Sequence, residues 1–207
     1  MFDTEQVAVD AWKQAGQTCG HDIPESLIIQ SVGRNADDTK RLFEQALEPE
    51  FDFQQVRALR IQYAADIIEQ RGVPVKDGLF ELLDVLDHGS VLKAVATSTE
   101  RIRAETLLRK ANVHDRFDAI ICGDEVQHGK PAPDIFLLAA NRLQTIPYHC
   151  FVLEDSEAGI QAAVNAKMHP MMIPDLKPPS QWVLATVKHI FPSLHRAASY
   201  FSEKLAL

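Results

Sequence analysis

Apolar residues in the first seventy positions recur every three or four residues, which is the spacing of one buried face of a helix. Polar residues fill the positions between them, and no alternating strand pattern interrupts the series. Gly16 and Gly72 stand where two of these segments end, as glycine does at many helix ends. The pattern therefore predicts a small helical bundle, with helices over 4–16, 24–32, 39–47 and 53–70.

After Val73 and Pro74 the pattern changes to short apolar runs that alternate with segments of helical spacing. Strands that alternate with helices of about ten residues are typical of βαβ units, so we expect a parallel sheet covered by helices on both faces. The predicted strands cover 91–96, 117–122, 150–153 and 171–173. The predicted helices cover 79–86, 101–110, 133–143 and 159–166, and residues 182–194 carry at least one more.

Composition and charge narrow the range of partners. The chain has 207 residues, of which 46% are hydrophobic, and no apolar run approaches the roughly 20 residues that cross a membrane. Asp and Glu outnumber Lys and Arg by 29 to 21, a net charge of −8 that argues against binding nucleic acid through the surface as a whole. The three cysteines lie far apart, so neither a disulfide framework nor a zinc site is predicted. We expect a cytoplasmic monomer with no membrane or nucleic-acid partner.

The residues that follow the predicted strands are the first candidates for chemistry, because ligands of open parallel sheets bind at the carboxyl ends of strands. The first strand is followed by Thr97, Ser98 and Thr99, directly before a helix. Hydroxyl groups and the free N–H groups of a helix N-terminus suit an anion of the size of phosphate. The alternative is that Thr97 or Thr99 only caps the helix.

A lysine and two acids follow the next two strands. Lys130 stands between Gly129 and Pro131, and a cation on such restricted backbone suits an anionic ligand. Glu154 and Asp155 end the third strand, where adjacent carboxylates favour a cation such as Mg²⁺. The alternatives are a solvated surface lysine, and an Asp155 that caps the next helix while Glu154 pairs with a surface base. Together the three strand ends predict a magnesium-assisted phosphate site.

These strings resemble motifs of the haloacid dehalogenase superfamily, a family of phosphotransferases with an aspartate nucleophile. Residues 95–99 resemble its second motif, 129–134 its third and 152–160 its fourth. The last two strings are most similar to the subgroup of beta-phosphoglucomutase and small-sugar-phosphate phosphatases. The resemblance implies an α/β fold with a Rossmann-like parallel sheet core and an inserted α-helical cap. It implies a cap over residues 4–72 and a core over residues 73–207 together with 1–3.

The resemblance also implies a role for each of the residues after the strands. Thr97 and the N–H of Ser98 would hold the transferring phosphoryl group, and Lys130 would neutralise its charge. Glu154 and Asp155 would hold Mg²⁺.

A substrate contact is implied in the cap as well. Arg34 stands in a string similar in position to the loop that contacts the leaving group, although a plain surface role is an equal alternative. The implied function is a Mg²⁺-dependent phosphatase of small phosphorylated metabolites, of the sugar phosphate type, that works through an aspartyl-phosphate. A phosphomutase similar to beta-phosphoglucomutase is the neighbouring alternative.

The family's first motif, Asp-x-Asp-Gly on a central strand, has no counterpart in the 207 residues. In the family, a segment resembling residues 2–5 follows that motif. We therefore expect a chain truncated before its nucleophile, with the central strand missing between those that carry the second and fourth motifs. Such a chain would be inactive, and the alternative is a non-catalytic relative that binds phosphate or a metabolite. Lys167 stands where relatives usually have glycine, a change that we expect the fold to tolerate.

Overall fold

The helical spacing at the start of the chain and the strand–helix alternation after it belong to two separate units. The computed structural model describes residues 1–32 and 36–206, and it divides into Met1–Pro74 and Val75–Leu207. Arg34 lies outside the described residues, so its role stays a prediction.

The first unit consists of helices packed around aromatic side chains. The ring of Trp12 lies 4.8 Å from that of Phe43 and 5.8 Å from that of Phe53, centroid to centroid, and all three are buried. Asp52 caps the last helix by accepting a hydrogen bond from the N–H of Gln54 at 2.9 Å. The helices are α1 (Thr4–Thr18), α2 (Glu25–Ser31), α3 (Ala36–Ala46) and α4 (Phe53–Arg71).

The second unit alternates helices and strands, and every strand pair in it is parallel. Strand β1 pairs with β2, while β3, β4 and β5 form a three-stranded sheet in that order. The predicted α/β class with a parallel sheet is confirmed. The elements are α5 (Leu79–His88), β1 (Ala94–Ala96), α6 (Arg101–Lys110), β2 (Ala119–Ile121), α7 (Asp134–Arg142), β3 (Phe151–Glu154), α8 (Glu157–Asn165), β4 (His169–Met172), α9 (Gln181–Thr186), β5 (His189–Ile190) and α10 (Leu194–Leu205).

The two sheets lie over a shared apolar core. Buried side chains from β2, α7, β3 and α8 form one cluster, to which Ile121, Phe136, Val152 and Ala162 contribute. Within the two described ranges no strand pairs with both β1 and β3. The family resemblance puts its first-motif strand at this place. None of the described helices is long and apolar enough to cross a membrane.

Candidate active site

The loop after β1 holds its three hydroxyl residues in a fixed turn. The N–H of Thr99 donates to Thr97 Oγ1 at 3.2 Å, and the N–H of Gly123 donates to the carbonyl of Thr99 at 3.0 Å. A Cβ on Gly123 would overlap the carbonyl of Ser98, so this close approach requires glycine. Glu100 occupies the N-cap position of α6, and the alternative role of Thr97 or Thr99 as that cap is therefore wrong.

Lys130 is a largely buried lysine that reaches two strand ends. Its Nζ donates to the carbonyl of Ala96 at 3.2 Å and forms an ion pair with the carboxylate of Glu154. It also lies 4.9 Å from the centroid of the Phe136 ring, where the negative face of the ring attracts a cation. Its side chain is only 12% exposed, so the alternative of a solvated surface lysine is wrong.

Both carboxylate oxygens of Glu154 are engaged. Oε1 faces Lys130, and Oε2 accepts from the N–H and the hydroxyl of Ser156 at 3.3 and 3.0 Å. Ser156 also caps α8, because its hydroxyl accepts from the N–H of Gly159 at 3.1 Å. The alternative of Asp155 as the helix cap is therefore wrong, and the base that pairs with Glu154 is a buried one.

Asp155 directly follows β3 and is exposed to solvent, although protein atoms surround much of its carboxyl group. The protein packed around it removes water from the carboxyl, and this desolvation raises its pKa above the usual range. The neighbouring charge of Glu154 raises the pKa further, Lys76 lowers it and Asp175 raises it. An accessible carboxylate that is repelled by acidic neighbours is stabilised when a cation binds.

Lys76 and Asp175 belong to this group although the sequence analysis did not single them out. Lys76 Nζ lies 2.7 Å from Asp175 Oδ2, and the two side chains are 13% and 11% exposed. Asp175 follows β4, so the rule about the carboxyl ends of strands would have found it. No local pattern marks Lys76.

The carboxylates of Glu154 and Asp155 fit a Mg²⁺ ion for which the protein would supply only some of the ligands. Mg²⁺ is usually bound by one or two carboxylates, with water and substrate phosphate as the other ligands. Glu154 and Asp155 supply two adjacent carboxylates. Among the residues that the structure describes, no group of three or more His, Cys, Asp or Glu side chains could hold a metal ion by itself. Two carboxylates would leave the remaining ligand positions of a Mg²⁺ ion to water and phosphate.

Comparison with known proteins shows which family the chain matches. The sequence model of the family described as haloacid dehalogenase-like hydrolase matches residues 1–173. A phosphorylated carbohydrates phosphatase of Thermotoga maritima is 28% identical over 166 residues, which is 80% of this chain and 76% of that protein. A fructose-1-phosphate phosphatase of Escherichia coli, YqaB, is 46% identical over 89 residues, which is 42% of this chain and 47% of that protein.

Solved structures agree in fold. The crystal structure of a beta-phosphoglucomutase from Clostridium difficile superposes with a TM-score of 0.71 at 20% identity, over 100% of this chain and 92% of that one. At this identity the likeness concerns the fold alone.

Proposed function

Because the chain belongs to the haloacid dehalogenase-like hydrolase family, we propose that its site serves a Mg²⁺-dependent phosphatase of small phosphorylated metabolites, of the sugar phosphate type. Family membership makes the chain a hydrolase, and the named relatives act on phosphoric monoesters. The observation that carries the proposal is the buried Lys130, which joins the ends of β1 and β3 beside the acidic pair. A fixed cation, two carboxylates and a hydroxyl loop are the parts that phosphoryl transfer requires.

Each part has a proposed role. Thr97 and the N–H of Ser98 hold oxygens of the phosphoryl group, and Lys130 neutralises the charge that collects there. Glu154 and Asp155 hold Mg²⁺, which supplies charge neutralisation and orientation of the phosphate when bound.

The nucleophile of the proposed reaction is an aspartate. Its carboxylate oxygen attacks phosphorus, the ester P–O bond breaks, and water then hydrolyses the aspartyl-phosphate to release phosphate. The 207 residues contain no Asp-x-Asp-Gly, so these residues by themselves are proposed to be inactive.

The substrate class is proposed from two sources. The named relatives act on phosphorylated carbohydrates and on fructose 1-phosphate. We assign residues 4–72 the role of the cap that chooses the substrate, and residues 73–207 with 1–3 the role of the core. Arg34 is the proposed cap contact to the leaving group. The proposed protein acts as a cytoplasmic monomer on a small metabolite.

The test is phosphate release from a panel of sugar phosphates and nucleotides, with and without Mg²⁺. We expect little or no hydrolysis of p-nitrophenyl phosphate by the 207 residues alone. A version extended before Met1 by a short apolar strand and Asp-x-Asp-Gly is expected to hydrolyse sugar phosphates only with Mg²⁺. In that version Asp155→Ala should reduce the rate about 100-fold or more, because it removes a metal ligand.

The control variant is Asp115→Ala, since the Asp115 side chain is 93% exposed and should not affect the rate. Robust turnover by the 207 residues would show that the nucleophile is another group, and an unchanged rate for Asp155→Ala would remove Asp155 from the site. An isomerised product without free phosphate would identify a phosphomutase. Phosphate binding without turnover in the extended version would identify a non-catalytic relative.

A further inference from the structure

The ion pair of Lys76 and Asp175 takes no part in the proposed phosphoryl transfer, yet it lies at the same sheet edge as the proposed metal ligands. Lys76 Nζ is 2.7 Å from Asp175 Oδ2, and both side chains are almost nine-tenths buried. In the described part of the chain no donor reaches Oδ2 with hydrogen-bond geometry, so charge holds the pair together. Desolvating two charges costs free energy that their attraction offsets only in part, so such a pair is a poor device for stability alone.

The pair lies at the sheet edge that carries Asp155. Strands β3 and β4 pair with Glu154 opposite Met172, and the N–H of Ile173 donates to the carbonyl of Glu154 at 2.8 Å, so Asp155 and the loop that carries Asp175 follow adjacent strand ends. Glu154 already has Lys130 as its cation. If Asp155 were also paired with a lysine, a metal ion would compete with an ammonium group at both acids of the site.

We propose that Asp175 holds the ammonium of Lys76 and thereby leaves the Asp155 carboxylate accessible to a divalent cation. This inference rests on the proposed function, in which Asp155 helps to hold Mg²⁺. Lys76 and Asp175 are positioning residues, because they act through Asp155 and not on the substrate. Without Asp175, Lys76 would pair with Asp155 and compete with the metal.

The test is Mn²⁺ binding to the 207-residue chain, measured from the electron paramagnetic resonance of free Mn²⁺ and repeated with Mg²⁺ as competitor. Asp175→Asn frees Lys76 and is expected to weaken binding about tenfold. Lys76→Met removes the competing ammonium, so that variant should bind at least as tightly as the wild type. The double variant Lys76→Met/Asp175→Asn should recover the wild-type affinity.

The control breaks a lysine–aspartate pair elsewhere in the second unit, in which Asp87 is 41% exposed and also pairs with Arg116. Lys93 Nζ lies 2.5 Å from Asp87 Oδ1, its side chain is 11% exposed, and it precedes β1 at the opposite end of the strand. Asp87→Asn should leave Mn²⁺ affinity unchanged. Circular dichroism confirms that each variant is folded.

The signs of the two single variants separate this inference from a structural role, which would weaken binding in both. A folded Asp175→Asn that binds like the wild type overturns the inference, as does a double variant that binds as weakly as Asp175→Asn. If Asp175→Asn does not fold, Lys76→Met decides, and weaker binding than the wild type overturns the inference.

A wild-type chain that binds no Mn²⁺ contradicts the proposed function instead. The crystal structure of Asp175→Asn then decides the inference. Lys76 Nζ within about 4 Å of the Asp155 carboxylate supports it, and any other position of Lys76 overturns it.

Discussion

Gly159 decides where the carboxylate of Glu154 can lie. It sits in the first turn of α8, and a Cβ at this position would overlap the carboxyl group of Glu154. Because glycine leaves that space free, Glu154 Oε2 can accept from Ser156 while Oε1 faces Lys130. The absence of a side chain at Gly159 thus leaves the space that the Glu154 carboxylate of the candidate site occupies.

Replacing Gly159 with alanine should therefore disturb the site and the fold together. Gly159→Ala is expected to lower the free energy of unfolding by about 1–3 kcal/mol, because the new methyl group displaces the Glu154 side chain. Urea unfolding followed by circular dichroism measures the change. Gly129→Ala is the matched control, since no atom lies within 4 Å of a Cβ there, and it should change the free energy by less than about 0.5 kcal/mol. Equal stability of Gly159→Ala and the wild type would contradict this account of Glu154.

Residues that follow strands could be predicted from the sequence, and residues whose role depends on distant partners could not. The loop after β1 and Lys130 each follow a predicted strand, and the structure brings Lys130 to the end of β3 and to Ala96, directly before that loop. Lys76 has a role only through Asp175, a partner far along the chain. Such pairing depends on the tertiary fold, which no local pattern encodes.

At the scale of elements, the end of α8 shows a conformation that its sequence does not favour. Lys167 follows the Ala166 C-cap and has a φ of 59°, in the left-handed region where a side chain crowds the backbone. The family resemblance places glycine at this position. Lysine in place of glycine at this position therefore costs free energy in backbone strain.

Lys167→Gly is expected to stabilise the protein. Glycine relieves the left-handed strain of the folded state, which raises the free energy of unfolding. It also increases the conformational entropy of the unfolded chain, which lowers that free energy by a smaller amount. The net effect should be a rise of about 0.5–1 kcal/mol. Differential scanning calorimetry checks this as a higher melting temperature. The matched control is Lys188→Gly, at an exposed lysine without a positive φ, which should lower the melting temperature. A lower melting temperature for Lys167→Gly would show that contacts of the lysine side chain outweigh its backbone strain.

Helices and strands differ in how well the local sequence pattern predicts where they lie. The apolar run over 91–96 forms a strand only over Ala94–Ala96, the residues that pair in register with Ala119–Ile121 of β2. Strand β5 consists of two residues that pair with Met171 and Met172, and a pair of residues carries no periodic pattern. Helix α10 was open to prediction, since its buried residues follow helical spacing: Leu194, Ala197, Ala198 and Phe201.

At the scale of the second unit, Lys130 forms a polar link between the two sheets. It touches the carbonyl of Ala96 at the end of β1 and the carboxylate of Glu154 at the end of β3. No strand in the described ranges makes this connection. A net charge of −8 gives no hint of such a link, because it does not tell which charges are buried together. The same side chain therefore belongs both to the candidate site and to the contact between the two sheets.

This dependence predicts strong coupling between Lys130 and Glu154. Lys130→Met leaves a buried carboxylate without its cation and should lower the free energy of unfolding by about 3–5 kcal/mol. Glu154→Gln should be costly for the corresponding reason. The double variant removes both charges, so it should lose less than the sum of the single variants, with a coupling energy of about 1–3 kcal/mol. Equilibrium urea unfolding of all four proteins gives this value.

The comparison cycle uses Lys13 and Glu25 of the first unit, a surface ion pair whose side chains are 41% and 53% exposed. Water and salt screen such a pair, so Lys13→Met and Glu25→Gln should show no measurable coupling. Additive effects at Lys130 and Glu154 would mean that their ion pair does not hold the strand ends together. Strong coupling confined to Lys130 and Glu154 would instead mean that the charges proposed to bind phosphate and metal also join the two sheets. Variants of either residue then have to be tested for folding before their activity is interpreted.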